Sequence, residues 1–204
     1  MNDFLFFLRE GWDHIISFSA MDHILFIVAL TVVYNILAWK KVVILVTAFT
    51  IGHAITLVLS VLNIIRFSDV WVEFLIPCTI LVTAAVNLFQ KDFSSKSQQV
   101  NYFLALFFGL IHGMGYANAI RFSLAKGQGF GLSLFSFNLG LEIGQIFVVL
   151  LLLLLTYLIT KISWISRRNW VVAISALVFV VSLQMAVERF PFVNHKHEFD
   201  EASH

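Results

Sequence analysis

Apolar residues along this chain come in long runs separated by short charged breaks. Runs long enough to cross about 30 Å of hydrocarbon at about 1.5 Å per residue fall near 22–39, 42–64, 70–90, 100–121, 130–160 and 170–190. A helix satisfies its own backbone in lipid, where no water is available to do so. The pattern therefore predicts an all-α fold, a polytopic transmembrane helical bundle of about six spans.

Ahead of these runs, residues 3–18 form a shorter aromatic-rich stretch broken by Arg9, Glu10, Asp13 and His14. Such a stretch predicts an N-terminal interfacial or re-entrant helix. The breaks at Lys40-Lys41, Arg66 to Asp69, Lys91 to Gln99, Arg121 to Gly129 and Lys161 to Asn169 leave no room for an inserted soluble domain. A single transmembrane domain is expected over 1–190, followed by a polar, mobile tail at 191–204.

Composition points the same way. The 204 residues are 60% hydrophobic and 12% charged, whereas soluble domains carry about a quarter charged residues. The lipid bilayer is thus the expected partner, and a net charge of +1 with no basic stretch excludes nucleic acid. The single Cys78 forms no internal disulfide. The start, MNDFLFFLRE, has no basic residue before its apolar stretch and is not expected to be a cleaved signal. If the spans alternate, Lys40, Lys41, Lys91, Lys96, Lys161, Arg167 and Arg168 share one face. The excess of short-loop cations there predicts that face to be inside and both termini outside.

Candidate chemistry follows from the ionisable residues left within the runs, because each costs several kcal/mol to insert and marks function by default. They are Asp22, His23, His53, Glu73, His112 and Glu142. Counted from the face holding the amino terminus, they fall in the outer half of the membrane or at its floor. Asn138, Glu142 and Gln145 recur at i, i+4 and i+7 and so share one helical stripe. Imidazole nitrogen beside carboxylate oxygen is the ligand set of a divalent transition metal such as Ni, Zn or Co. Adjacent Asp22 and His23 point about 100° apart on a helix, so one binds an ion while the other caps the helix or orients a ligand.

The plainer reading is that each histidine only hydrogen-bonds a neighbour, as Thr50 and Thr56 would allow for His53. Glycines weigh against it. Gly109, Gly113 and Gly115 surround His112, and Gly140 and Gly144 surround Glu142, which lets helix backbones approach and enclose a narrow site. Asn138, Gln145, Glu73 and Thr50 are the polar residues expected to support the ligands.

These residues lie in four strings: Asp22-His23-Ile24-Leu25-Phe26; Thr47 to Leu57, TAFTIGHAITL; Phe108 to Ala117, FGLIHGMGYA; and Phe137 to Gln145, FNLGLEIGQ. In that order they resemble the HupE/UreJ family of bacterial membrane proteins associated with nickel supply to hydrogenase and urease. The resemblance implies a multi-span permease of the bacterial inner membrane handling nickel or a related divalent ion. Its matched polar positions are His14, Asp22, His23, His53, His112 and Glu142.

Three functions compete. The first is a permease that takes the ion at the outer-half site and hands it inward. The second is an intramembrane metal-dependent enzyme, hydrolase-like, with a fixed metal on the same residues and Glu142 as general base. The third is a structural subunit whose polar cluster only holds helices together, its partner another copy of the chain or another membrane protein.

Overall fold

The computed structural model describes residues 3–17, 20–90, 95–126, 129–162 and 165–191, and their side chains except at 95–100 and 118–126. Residues 192–204 of the expected tail lie outside the described residues, as does Lys91. The described chain is all helical: α1 Asp3–Ile16, α2 Met21–Thr31, α3 Trp39–Val61, α4 Asp69–Phe89, α5 Ser95–Lys126, α6 Phe130–Ile162 and α7 Arg167–Glu188. No strand occurs among the described residues. Three long pairings organise the bundle, α3 on α5, α1 on α6 and α4 on α7.

Four helical segments among the described residues are long and apolar enough to cross a membrane: Ile36–Val61, Asp69–Phe89, Phe130–Ile162 and Arg167–Glu188. A fifth is possible if α1 and α2 count as one span bent by 68°. The expected run over 22–39 is therefore not one straight helix. α2 stops at Thr31, and at about 1.5 Å per residue its 11 residues fall well short of the hydrocarbon core. The Asn35 side chain then accepts from the Ala38 amide at 3.0 Å and opens a short 3₁₀ turn over Ile36–Ala38 that leads into α3. At the other end of α3, Asn63 takes a left-handed φ of 57°. The Ile64 amide then bonds back to the Leu59 carbonyl at 2.9 Å, closing the helix with a residue that tolerates this conformation.

Small residues set how closely the pairs approach. A methyl at Gly52 or Gly109 would overlap backbone of the facing helix, at Leu106 and Phe49 respectively. One at Gly113 would strike the His53 carbonyl. The α1–α6 pair is built the same way: Gly11 lies on the backbone of Phe137, and Gly140 on that of Leu8. Both seams are backbone-to-backbone contacts of the kind small residues allow between membrane helices. They draw α1, α3, α5 and α6 together around Phe49, Phe137, Leu57 and Leu141, all buried.

Candidate metal centre

The two glycine seams bring histidines from different helices to one place. His14 ends α1, His23 opens α2, His53 lies in α3 beyond Gly52, and His112 precedes Gly113 in α5. His53 and His112 are fully buried and His23 is nearly so. One ring nitrogen from each of His14, His23 and His53 lies within 4.8 Å of the others. His112 stands against them, its ring 4.9 Å from that of His23. Metal–nitrogen bonds of about 2.0–2.1 Å set ligand nitrogens about 3.4 Å apart around a tetrahedral ion, so small ring rotations would close the set.

Hydrogen bonding separates this cluster from ordinary buried histidines. His14 Nε2, His23 Nε2, both nitrogens of His53 and His112 Nδ1 are buried without a partner among the described residues. Each orphaned polar atom costs about 1–3 kcal/mol, and several together in one spot need a common partner. The threonines that might have satisfied His53 are engaged elsewhere. Thr50 donates to Gln145 Oε1 at 2.9 Å, and Thr56 turns back to the Gly52 and His53 carbonyls.

Two of the rings have their tautomers fixed by neighbours. Asp22 Oδ1 sits 3.0 Å from His23 Nδ1 and also accepts the His23 amide at 2.8 Å. A carboxylate accepts only, so Nδ1 carries the hydrogen and Nε2 presents a bare lone pair to the cluster. Thr79 donates its single hydroxyl proton to the Ile76 carbonyl at 2.6 Å. Its oxygen, 3.2 Å from His112 Nε2, must therefore accept, which leaves Nδ1 of His112 as the bare nitrogen. Carboxylate-backed and hydroxyl-backed imidazoles of this kind are how metal ligands are oriented.

Beside the cluster opens a cavity of about 360 Å³, lined by His14, Asp22, His23 and His112 together with Glu73, Tyr116, Gly115 and Arg189. Arg189 stands 3.6 Å from Asp22 Oδ2 and is one-third exposed. Tyr116 packs on His14, with ring centroids 3.8 Å apart, and stacks on Phe137.

Of the residues singled out from the sequence, the structure thus gathers His14, Asp22, His23, His53 and His112, with Glu73 on the cavity wall. Glu142 is placed differently. Its Oε1 accepts from Thr47 at 2.6 Å across the α3–α6 contact, one helical turn from the Thr50–Gln145 bond. These two bonds continue the stripe Thr47, Thr50, His53 along α3. Asn138 bonds back to the Leu134 carbonyl of its own helix at 2.8 Å.

Thr79, Tyr116 and Arg189 were not read as site residues from the sequence. Thr79, Thr83 and Asn87, at i, i+4 and i+8 in the apolar α4, do form a buried polar stripe that could have signalled Thr79. Arg189 carried no such signal, because it lies at the charged end of the last apolar run and only the fold brings it to Asp22.

No curated protein and no solved structure matches this chain. The family model described as HupE / UreJ protein matches residues 1–189, the whole of the described bundle but its last residues. The chain belongs to the HupE/UreJ family.

Proposed function

We propose that the chain is a multi-pass permease of the bacterial inner membrane for a divalent transition-metal ion, nickel or a related one. The observation that carries this reading is the convergence of bare, buried imidazole nitrogens from His14, His23 and His53, with the ring of His112 against that of His23. Membership of a family associated with metal uptake supports it. The ion enters through the cavity, where the Asp22 and Glu73 carboxylates favour a cation. The histidines then replace its water with lone pairs. Beyond His53 the oxygens of Gln145 and Glu142, held by Thr50 and Thr47, offer the next ligands along α3.

The test is elemental analysis of the chelator-washed, detergent-purified protein together with ion uptake into proteoliposomes. Wild type is expected to bind metal reversibly and to take it up. His53→Ala loses both binding and uptake, and Glu142→Ala keeps binding but loses uptake. Metal binding that is unchanged in His53→Ala, His112→Ala and His14→Ala would refute the site.

A second reading is favoured by one observation, the cavity beside the cluster with Glu73, Tyr116 and Arg189 on its wall. In an intramembrane metalloenzyme the metal would polarise a water, and Glu73, which lines that space with Asp22, would serve as the base in place of Glu142. One ion per chain that survives chelator washing, with no uptake, would favour this reading over transport.

A further inference from the structure

The buried polar stripe Thr79, Thr83 and Asn87 runs on along α4, away from His112, and meets the end of α2. There Leu30 of α2, Thr83, Val86 and Asn87 of α4, and Asn101 and Leu104 of α5 enclose a cavity of about 10 Å³, about the space that one water needs. None of these residues belongs to the histidine cluster or to the larger cavity beside it.

Each polar residue of this wall spends its hydrogens elsewhere. Thr83 donates its hydroxyl proton to the Thr79 carbonyl at 2.8 Å. Asn87 directs its amide nitrogen to the Ala29 carbonyl at 2.6 Å, and Asn101 directs its own to the Tyr34 hydroxyl at 3.3 Å. Neither Ala29 nor Tyr34 lines the cavity. What Thr83, Asn87 and Asn101 have left for it are oxygens. Leu30 supplies a fourth. Its carbonyl lies in the last turn of α2, where helix carbonyls have no intrahelical partner, and no backbone amide among the described residues bonds it. The carbonyls around it are taken, Val28 by the Val32 amide, Ala29 by Asn87, Thr31 by the Tyr34 amide and Val33 by Arg167.

The excess of acceptors decides the occupant. A water has two protons to give and would leave half of these oxygens without a donor, whereas a cation serves all of them at once. The same inventory excludes an anion. No carboxylate stands in the wall to offset a divalent ion, but the negative end of the α2 dipole offsets part of a single charge. Helix ends that stop inside a membrane bundle hold monovalent cations in this way. We propose that the cavity binds one dehydrated alkali-metal cation. The ion joins α2 to α4 and α5 at the end opposite Asp22 and His23, and the proposal does not depend on what the histidines bind.

The test is thermal melting of the full-length, chelator-washed protein in mild detergent, titrated with sodium or potassium chloride against choline chloride at constant ionic strength. The melting temperature is expected to rise by several degrees and to saturate, more with sodium than with potassium because few oxygens suit the smaller ion. Thr83→Val keeps the shape and Asn101→Leu the size while each removes an oxygen, and both should abolish the saturable rise. Equal melting in sodium, potassium and choline would overturn the proposal and leave the cavity to water. A full rise retained in either folded variant would also overturn it, because the cation would then lie elsewhere, as with Asp22 and Glu73.

Discussion

Removing the Asp22 carboxylate gives a graded test of the proposed metal centre. Oδ1 of Asp22 accepts both the amide and Nδ1 of His23, so it fixes which nitrogen of His23 is bare and lends the ring negative charge. Loss of a carboxylate behind a ligating histidine typically lowers metal affinity 10–100-fold, about 1.4–2.8 kcal/mol at about 1.4 kcal/mol per tenfold. The two available substitutions divide that range. Asp22→Asn retains an oxygen for the Nδ1 hydrogen and loses only the charge, so a loss near the tenfold end is expected. Asp22→Ala removes charge and acceptor together, frees the His23 tautomer, and should approach a hundredfold.

Arg189 supplies the control. It lies 3.6 Å from the opposite carboxylate oxygen with one-third of its side chain exposed, and exposed ion pairs contribute about 0–1 kcal/mol. Arg189→Gln should therefore change affinity by less than about fivefold. It should raise the affinity, if it changes it, because a cation beside the site has been removed. The assay is competition for nickel or zinc against a chromogenic chelator, run beside thermal melting of the metal-free proteins. Wild-type affinity in a folded Asp22→Ala would refute the argument that this carboxylate orients a metal ligand.

Further outcomes follow from individual contacts. Thr79→Val removes the acceptor that holds the Nε2 hydrogen of His112, and a loss of about tenfold in metal affinity without loss of fold is expected. Glu142→Gln keeps an oxygen for Thr47 and lies outside the histidine group, so metal binding should match wild type within about twofold while proteoliposome uptake falls. A Cβ at Gly140 would stand 3.1 Å from the Trp12 amide and closer still to the Leu8 carbonyl. Gly140→Ala should therefore cost about 1–3 kcal/mol in denaturant melts, because two backbones must separate. Gly131→Ala, with nothing within 4 Å, should be neutral or raise stability by up to about 1 kcal/mol.

What the sequence could and could not show follows from the kind of signal each feature leaves. Apolar runs report solvent, so helices α3, α4, α6 and α7 were legible near their true ends, and His23, His53 and His112 stood out against lipid as a buried cost. Hydropathy is blind to backbone breaks, however. The turn around Asn35 contains no Pro or Gly between residues 32 and 38, and nothing in the pattern marks where α2 gives way to it. Partner choice was equally hidden. Glu142 shares a stripe with Gln145, as the i, i+3 spacing requires, but only the antiparallel contact of α3 and α6 gives it Thr47 in place of a histidine. His14 is the sharper case. Alone it is a polar residue in an amphipathic stretch, and what carries it to His23 and His53 is Gly11, whose missing side chain lets α1 lie backbone to backbone on α6. It follows that Gly11→Ala should disturb metal binding through His14 without touching a ligand. It is also expected to leave the α3–α5 seam intact, so His53 and His112 stay packed while affinity falls. Equal metal affinity in a folded Gly11→Ala would show that His14 is not held in place by that seam.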